Sequence, residues 1–213
     1  MDNISFLIFQ LIIFLFSVMI HEVAHGAVAL KLGDTTAKDA GRLNLNPLNH
    51  LDFFGSILLP ISLFILSAGT FVLGWAKPVP YNPYRLRNPK SGAGIIAAAG
   101  PLTNITVAIV FGILIRLLVF LPSSAFAASL FVMFSAVVFI NVLLAAFNLI
   151  PLPPLDGSGI LLSIMPDSWH QVRSFLHRYG FYLLLFFIFF GFQLIIPIIS
   201  YLYSLIVGQV GVL

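Results

Sequence analysis

The chain has 213 residues, 60% of them hydrophobic and only 8% charged, with a formal net charge of +3. A soluble globular domain carries roughly 25% charged residues, and the mean hydropathy here is +1.09. A soluble enzyme, a disordered chain and an extended nucleic-acid binder are therefore excluded, and an integral membrane protein is expected.

The first apolar run, Ile4 to Leu30, predicts one long membrane helix with His21, Glu22 and His25 inside it, ended by Lys31-Leu32-Gly33-Asp34. No basic stretch precedes it and no small-residue cleavage site follows it, so it does not read as a signal peptide. Residues 31–52 are polar. Within them Gly41-Arg42-Leu43-Asn44-Leu45-Asn46 alternates polar and apolar, which predicts a short membrane-associated strand over 41–46.

Phe53 to Leu73 is apolar and long enough to span, but Gly55, Pro60 and Gly69 interrupt it; it is a re-entrant or a fifth apolar segment. Residues 75–91, with Pro78, Pro80, Pro83 and Pro89, form a loop. Ile95–Phe120 and Ala125–Ile150 predict two membrane helices joined by a tight turn over Leu121-Pro122-Ser123-Ser124. Pro151-Leu152-Pro153-Pro154-Leu155-Asp156-Gly157 cannot be helical. A short apolar piece, Ile160–Met165, and a polar stretch holding Asp167, His170, Arg173, His177 and Arg178 lead to a last apolar run, Phe181–Val207, that Pro197 can kink. The expected fold is an all-α polytopic membrane protein of about four spanning helices plus the 53–73 segment, in one membrane-embedded domain over 1–213.

Ionisable groups inside apolar segments are costly, and so they point to function. His21-Glu22-Val23-Ala24-His25 spaces two histidines by four, on one helix face, where two imidazoles can bind one zinc ion. Glu22, the only glutamate in the chain, stands beside them as a base for a metal-activated water. A third ligand is needed. Asp2, Asp34, Asp39, Asp52 and Asp167 lie by polar loops, whereas Asp156 follows a proline break at the end of a membrane helix. Irregular backbone is tolerated there only inside protein or beside a water-filled cavity. Two histidines and one carboxylate leave a fourth zinc position open, the catalytic arrangement. Asn104 and Asn148 are amides in apolar runs. Each can donate to an oxyanion or to substrate, cap a backbone group, or bind another helix. His50, His170 and His177 lie in loops, and Arg116 stands near a helix end from which it can snorkel.

His21-Glu22-Val23-Ala24-His25-Gly26, Gly100-Pro101-Leu102-Thr103-Asn104 and Asn148-Leu149-Ile150-Pro151-Leu152-Pro153-Pro154-Leu155-Asp156-Gly157 together resemble the site-2 protease family of intramembrane zinc metalloproteases (peptidase M50-like), over the stretch from the first helix to about Ile160. The resemblance implies a zinc metalloendopeptidase that cuts transmembrane segments of substrate proteins within the bilayer, as in regulated intramembrane proteolysis. His21, His25 and Asp156 match its Zn²⁺ ligands, Glu22 its catalytic base, and Asn104 and Asn148 its motif asparagines. The length leaves no room for a PDZ or CBS module, so the resemblance is to a compact member.

The implied partners are a transmembrane protein substrate and the lipid bilayer, with no nucleic acid. A transporter would instead show an inverted repeat and polar residues spread over several spans. A non-catalytic zinc-binding membrane protein would lack the base or carry a fourth protein ligand. Asp156 can reach the histidines if the 53–73 segment dips in and returns, because Lys31 and Asp156 then share a face. Every Lys and Arg but Arg116 falls on that face, which the positive-inside rule makes cytoplasmic. The expected location is a prokaryotic plasma membrane, with both termini outside and the site nearer the cytosol.

Overall fold

The computed structural model describes residues 3–58, 62, 65, 77–120, 122 and 124–208. Helix α1 (Asn3–Lys31) is followed by the single turn α2 (Thr36–Asp39), α3 (Pro89–Leu117), α4 (Ala125–Asn148), the short α5 (Asp156–Ile164), α6 (His170–Phe186) and α7 (Ile196–Val207). Among the described residues, four stretches are long and apolar enough to cross a membrane: Ile4–Lys31, Pro89–Phe120, Ala125–Asn148 and Asp167–Leu194. Their outward side chains suit lipid; Ile4, Leu7, Ile8, Leu11 and Ile12 of α1 are all exposed.

Local chemistry sets where these helices begin and end. α1 stops at Gly33, whose φ of +105° is open to glycine. The Gly33 N–H donates to Leu30 O and the Asp34 N–H to Ala29 O, closing the helix with the paired bonds of a glycine C-cap. Asparagine followed by proline starts three elements. Asn46 caps the 3₁₀ turn Pro47–Asn49, Asn82 caps Pro83–Arg85, and Asn88 caps α3 by accepting from the Ser91 N–H. Proline fits the first helical position because its missing N–H would have no partner there. α3 therefore starts six residues before the apolar run at Ile95. Ser124 caps α4 through the Ala127 N–H.

Among the described residues there is no strand, so the strand expected over 41–46 is not formed. The asparagines fold that stretch on itself. Asn44 Nδ2 donates to Gly41 O, while Asn44 Oδ1 accepts from the Asn46 N–H and from Asn49 Nδ2. Asparagine side chains that bond to nearby backbone compete with strand pairing.

Of the 53–73 segment, Phe53–Leu58 forms a π-helical turn; apart from residues 62 and 65, the rest of the stretch expected to cross or return lies outside the described residues. Its two flanks do meet. The Lys77 N–H donates to His50 O at 2.9 Å, and Arg42 Nη2 donates to Lys77 O at 2.8 Å. The chain thus leaves and re-enters the described fold at one level, and α1 ends on the side from which α3 starts.

The C-terminal apolar run is two elements rather than one kinked helix. α6 passes into a π-helical turn at Phe187–Gly191 and a 3₁₀ turn at Phe192–Leu194 before α7 begins, with Pro197 in its first turn. At one end Lys90 Nζ pairs with Asp167 Oδ1 at 2.7 Å. At the other, Ile206 packs over Gly112, and Arg116 donates to the carbonyls of Leu205 and Ile206 at 2.6 and 3.0 Å. Residues 167–207 therefore run the length of α3 once, in its direction. Arg116 satisfies the free carbonyls at the end of α7. The core between α3, α4 and α7 holds Ala108, Ile115, Val138, Val142, Ile195 and Ile199.

Candidate metal centre

α1 carries His21 and His25 one turn apart on the face that meets α3. Approach is close because α3 presents Gly100 there. A Cβ at that position would stand 2.5 Å from His21 Nε2 and 2.6 Å from His25 Nε2. The opposite wall is α5, which packs on the early turns of α3 through Gly94 against Ser163 and Gly159 against Ala97. Asp156 is the first residue of α5. Its carboxylate does not cap that helix. It turns back to α1, with Oδ2 at 3.0 Å from His21 Nε2 and 3.3 Å from His25 Nε2. Gly157 lets the break fold tightly, since a Cβ there would overlap the Leu149 carbonyl.

The remaining ring nitrogens are engaged. His25 Nδ1 faces the backbone carbonyl of Ile96 at 2.7 Å, and a carbonyl can only accept, so that nitrogen carries the proton. His21 Nδ1 faces Asn104 Oδ1 at 2.5 Å. Each Nε2 thus points at one carboxylate oxygen, and Asp156 Oδ2 is buried with no hydrogen-bond partner. A carboxylate and two ring nitrogens this close together call for a cation, proton or metal, among them. One ligand atom from each of His21, His25 and Asp156 lies within 4.8 Å of the others, a set that could hold a metal ion. Neutral imidazole and carboxylate suit zinc, and the Nδ1 hydrogen bonds are the usual outer support of such ligands.

Glu22 lies beside the ligands with Oε2 accepting the Val79 N–H at 3.0 Å. Val79 belongs to Lys77-Pro78-Val79-Pro80, a stretch that the two prolines hold extended, because a residue before proline avoids the helical region. Its far end is fixed by Asp34 Oδ2, which accepts the Asn82 N–H at 2.5 Å. The three ligands, Glu22, Asn148 and Tyr81 all line one cavity of about 960 Å³. Burial, and then the negative charge of Asp156, push the Tyr81 phenol above its ordinary value of 10.0.

The structure thus gathers His21, Glu22 and His25 of α1 and Asp156 of α5 around one point of the cavity. Asn148 lines the cavity, and its Nδ2 donates to Leu144 O at 3.0 Å. Asn104 is fully buried behind His21, with its amide nitrogen donating to Asn141 Oδ1 at 2.9 Å. Sequence reading had passed over Asn141, Ser17 and the role of Gly100. Asn141 did carry a signal, since it is another asparagine in an apolar helix, two turns before Asn148. The approach of Gly100 to both imidazoles had none until α1 and α3 were placed together.

The profile described as Peptidase family M50 matches residues 116–191. A protein of Bacillus subtilis named "Putative zinc metalloprotease YwhC" is 36% identical over 181 residues, which is 84% of this chain and 78% of that protein. One of Methanocaldococcus jannaschii named "Putative zinc metalloprotease MJ0611" is 32% identical over 163 residues, 72% of each chain. No solved structure gives a significant match.

Proposed function

The chain belongs to peptidase family M50, and from that premise we propose that it is an intramembrane zinc metalloendopeptidase that hydrolyses peptide bonds in transmembrane segments of other proteins. The observation that carries this reading is the convergence of two Nδ1-protonated imidazoles on the unpartnered Asp156 Oδ2, with Glu22 alongside. His21, His25 and Asp156 would hold the ion, and zinc bound there supplies a Lewis acid that polarises a peptide carbonyl and acidifies water.

The chain's own groups do the rest. Glu22 takes a proton from water as its oxygen attacks the scissile carbonyl carbon, and delivers it to the amide nitrogen as the C–N bond breaks. The Val79 amide fixes one Glu22 oxygen, so the carboxylate keeps its direction through both transfers. Asn148, at the cavity wall, is the candidate amide for substrate or for the developing oxyanion.

A transmembrane helix hides its carbonyls in its own hydrogen bonds, so a substrate must be locally extended before it reaches Glu22. The turn over 41–46 cannot offer a strand edge to hold it. The stretch beside Glu22 is Pro78-Val79-Pro80, where the two prolines have no N–H and present carbonyls alone. His21 lies ten residues before Lys31 in α1, roughly 15 Å along the helix, about half of a bilayer core of roughly 30 Å. The Lys and Arg residues cluster at that end, so the site faces the cytosolic half of a plasma membrane by the positive-inside rule.

Glu22→Gln tests this reading. Glutamine keeps the shape and can still accept the Val79 N–H, but it cannot act as a base. The purified variant should retain zinc and lose cleavage of a membrane-inserted substrate by at least 100-fold, at the low end of typical general-base contributions. Turnover near the wild-type rate would refute the assignment.

A further inference from the structure

Behind His21, away from the cavity, three polar side chains are buried in the helix packing: Asn104 of α3, Asn141 of α4 and Ser17 of α1, all at most 5% exposed. Buried polar groups of this kind are retained at a cost unless they are fully bonded, and here the bonds form a directed series. Asn141 Nδ2 donates to the Val137 carbonyl at 2.9 Å and to Ser17 Oγ at 2.9 Å. A backbone carbonyl only accepts, so the Asn141 amide has one allowed orientation, with Oδ1 turned to α3. Asn141 Oδ1 can then only receive from Asn104, whose Nδ2 donates to it at 2.9 Å and to Ser17 O at 3.4 Å. That leaves Asn104 Oδ1 facing His21 Nδ1 at 2.5 Å. His21 must carry its proton on Nδ1, and its Nε2 lone pair is left pointing at the ligand cluster.

We propose that Asn141 is a positioning residue for the metal ligand His21: by locking the amide of Asn104 it fixes the imidazole tautomer, and so the lone pair offered to the ion. The inference rests on the zinc reading of the site. His25 needs no such relay because Ile96 O sets its tautomer directly. An Asn104 amide is symmetric in shape. Without Asn141 it is held only by the long contact to Ser17 O and can turn its NH₂ toward His21, which shifts the ring proton to Nε2 and removes a ligand.

The test measures zinc affinity by chelator competition on purified, detergent-solubilised protein, together with the melting temperature of each metal-free form. Asn141→Leu, which keeps the number and branching of the side-chain heavy atoms and is apolar, should melt cooperatively and bind zinc about 10- to 100-fold more weakly, the usual effect of losing outer support of a ligand. In an Asn104→Asp background the group facing His21 is an acceptor whichever way it turns. Adding Asn141→Leu there should change affinity less than twofold. A residue that merely fills space would cost the same in both backgrounds, and that result overturns the proposal, as does wild-type affinity in folded Asn141→Leu.

If the leucine variant does not fold, nitrogen-15 spectra of the histidine rings in the zinc-loaded wild type decide. Protonated Nδ1 with bound Nε2 at His21 is the expected pattern, and protonated Nε2 overturns the proposal. Absence of zinc binding by the wild type would instead overturn the metal reading, and the relay with it.

Discussion

The residue that limits the site most sharply carries no functional group. Gly100 lets α3 pass the two imidazoles, and any Cβ there would come within 2.5 Å of His21 and 2.6 Å of His25. Real Cβ contacts do not reach that close, and the neighbouring atoms are stiff rings held at Nδ1. Gly100→Ala should therefore displace at least one imidazole, lower zinc affinity more than 10-fold and abolish hydrolysis, while the rest of the bundle, built on Ala108, Val138 and Val142, stays packed. Chelator competition and circular dichroism on the variant check this; wild-type zinc affinity would show that the rings are not held as described. Sequence made His21, Glu22 and His25 visible because ionisable groups in an apolar run are costly, and Asp156 because it follows a proline break at the end of a membrane helix. It left Asn104 open among several roles, since an amide's partners depend on which helices meet, and that is decided by packing.

At the scale of elements, two carboxylates on or just after α1 take backbone N–H groups of the loop before α3: Glu22 from Val79 and Asp34 from Asn82. Asp34 is fully buried, and burial alone would raise its pKa. The bonds from the Thr36 hydroxyl, the Asn82 amide and the Thr36 amide, with the charge of Arg85, outweigh burial and hold it below the ordinary value of 3.8. A depressed carboxylate pKa stabilises the fold above the unfolded value, and that stability is lost as pH falls through the folded one. Melting temperature should thus hold from pH 7 to about pH 4, the ordinary carboxylate range, and fall below it. Asp34→Asn turns an NH₂ toward a donor and should cost about 1–3 kcal/mol at pH 7, with a shallower acid fall than wild type. Equal acid sensitivity in the two proteins would remove Asp34 from the account.

The element boundaries teach a related lesson. Asn-Pro marks the starts at 47, 83 and 89 through local chemistry alone. The 41–46 alternation misleads because Asn44 bonds to its own loop. The 181–207 run divides at the π and 3₁₀ turns over 187–194, ahead of Pro197, while Gly180 abuts the break at Pro153.

For the whole molecule, the bond between Lys77 N and His50 O brings both flanks of the 51–76 stretch to one level. The Lys90–Asp167 and Arg116–Ile206 contacts fix the direction of the C-terminal crossing. We propose that α1, α3, α4 and the stretch 167–207 make four crossings, which puts Asn3 and Val207 on the side of Arg116. The chain has no cysteine, so single cysteines report cleanly. Placed at Lys38, Arg87 and Arg173, they should react with an impermeant maleimide only from the cytoplasmic face, and one at Ser124 only from outside. Reaction of 38 and 87 from opposite faces would contradict the arrangement. Sequence alone could pose this choice but not decide it, because 21 apolar residues from Phe53 to Leu73 are long enough either to cross or to return. The bond that speaks for a return is between backbone atoms of His50 and Lys77, which no side-chain pattern encodes.

The central claim is that one metal ion is shared by α1 and α5, and elemental analysis of the purified protein tests it most directly. Wild type should carry about one zinc per chain, and Asp156→Ala, which withdraws one ligand of three, should fall well below half occupancy after dialysis against a weak chelator while keeping its helical spectrum. Full and unchanged zinc in that variant would contradict the account.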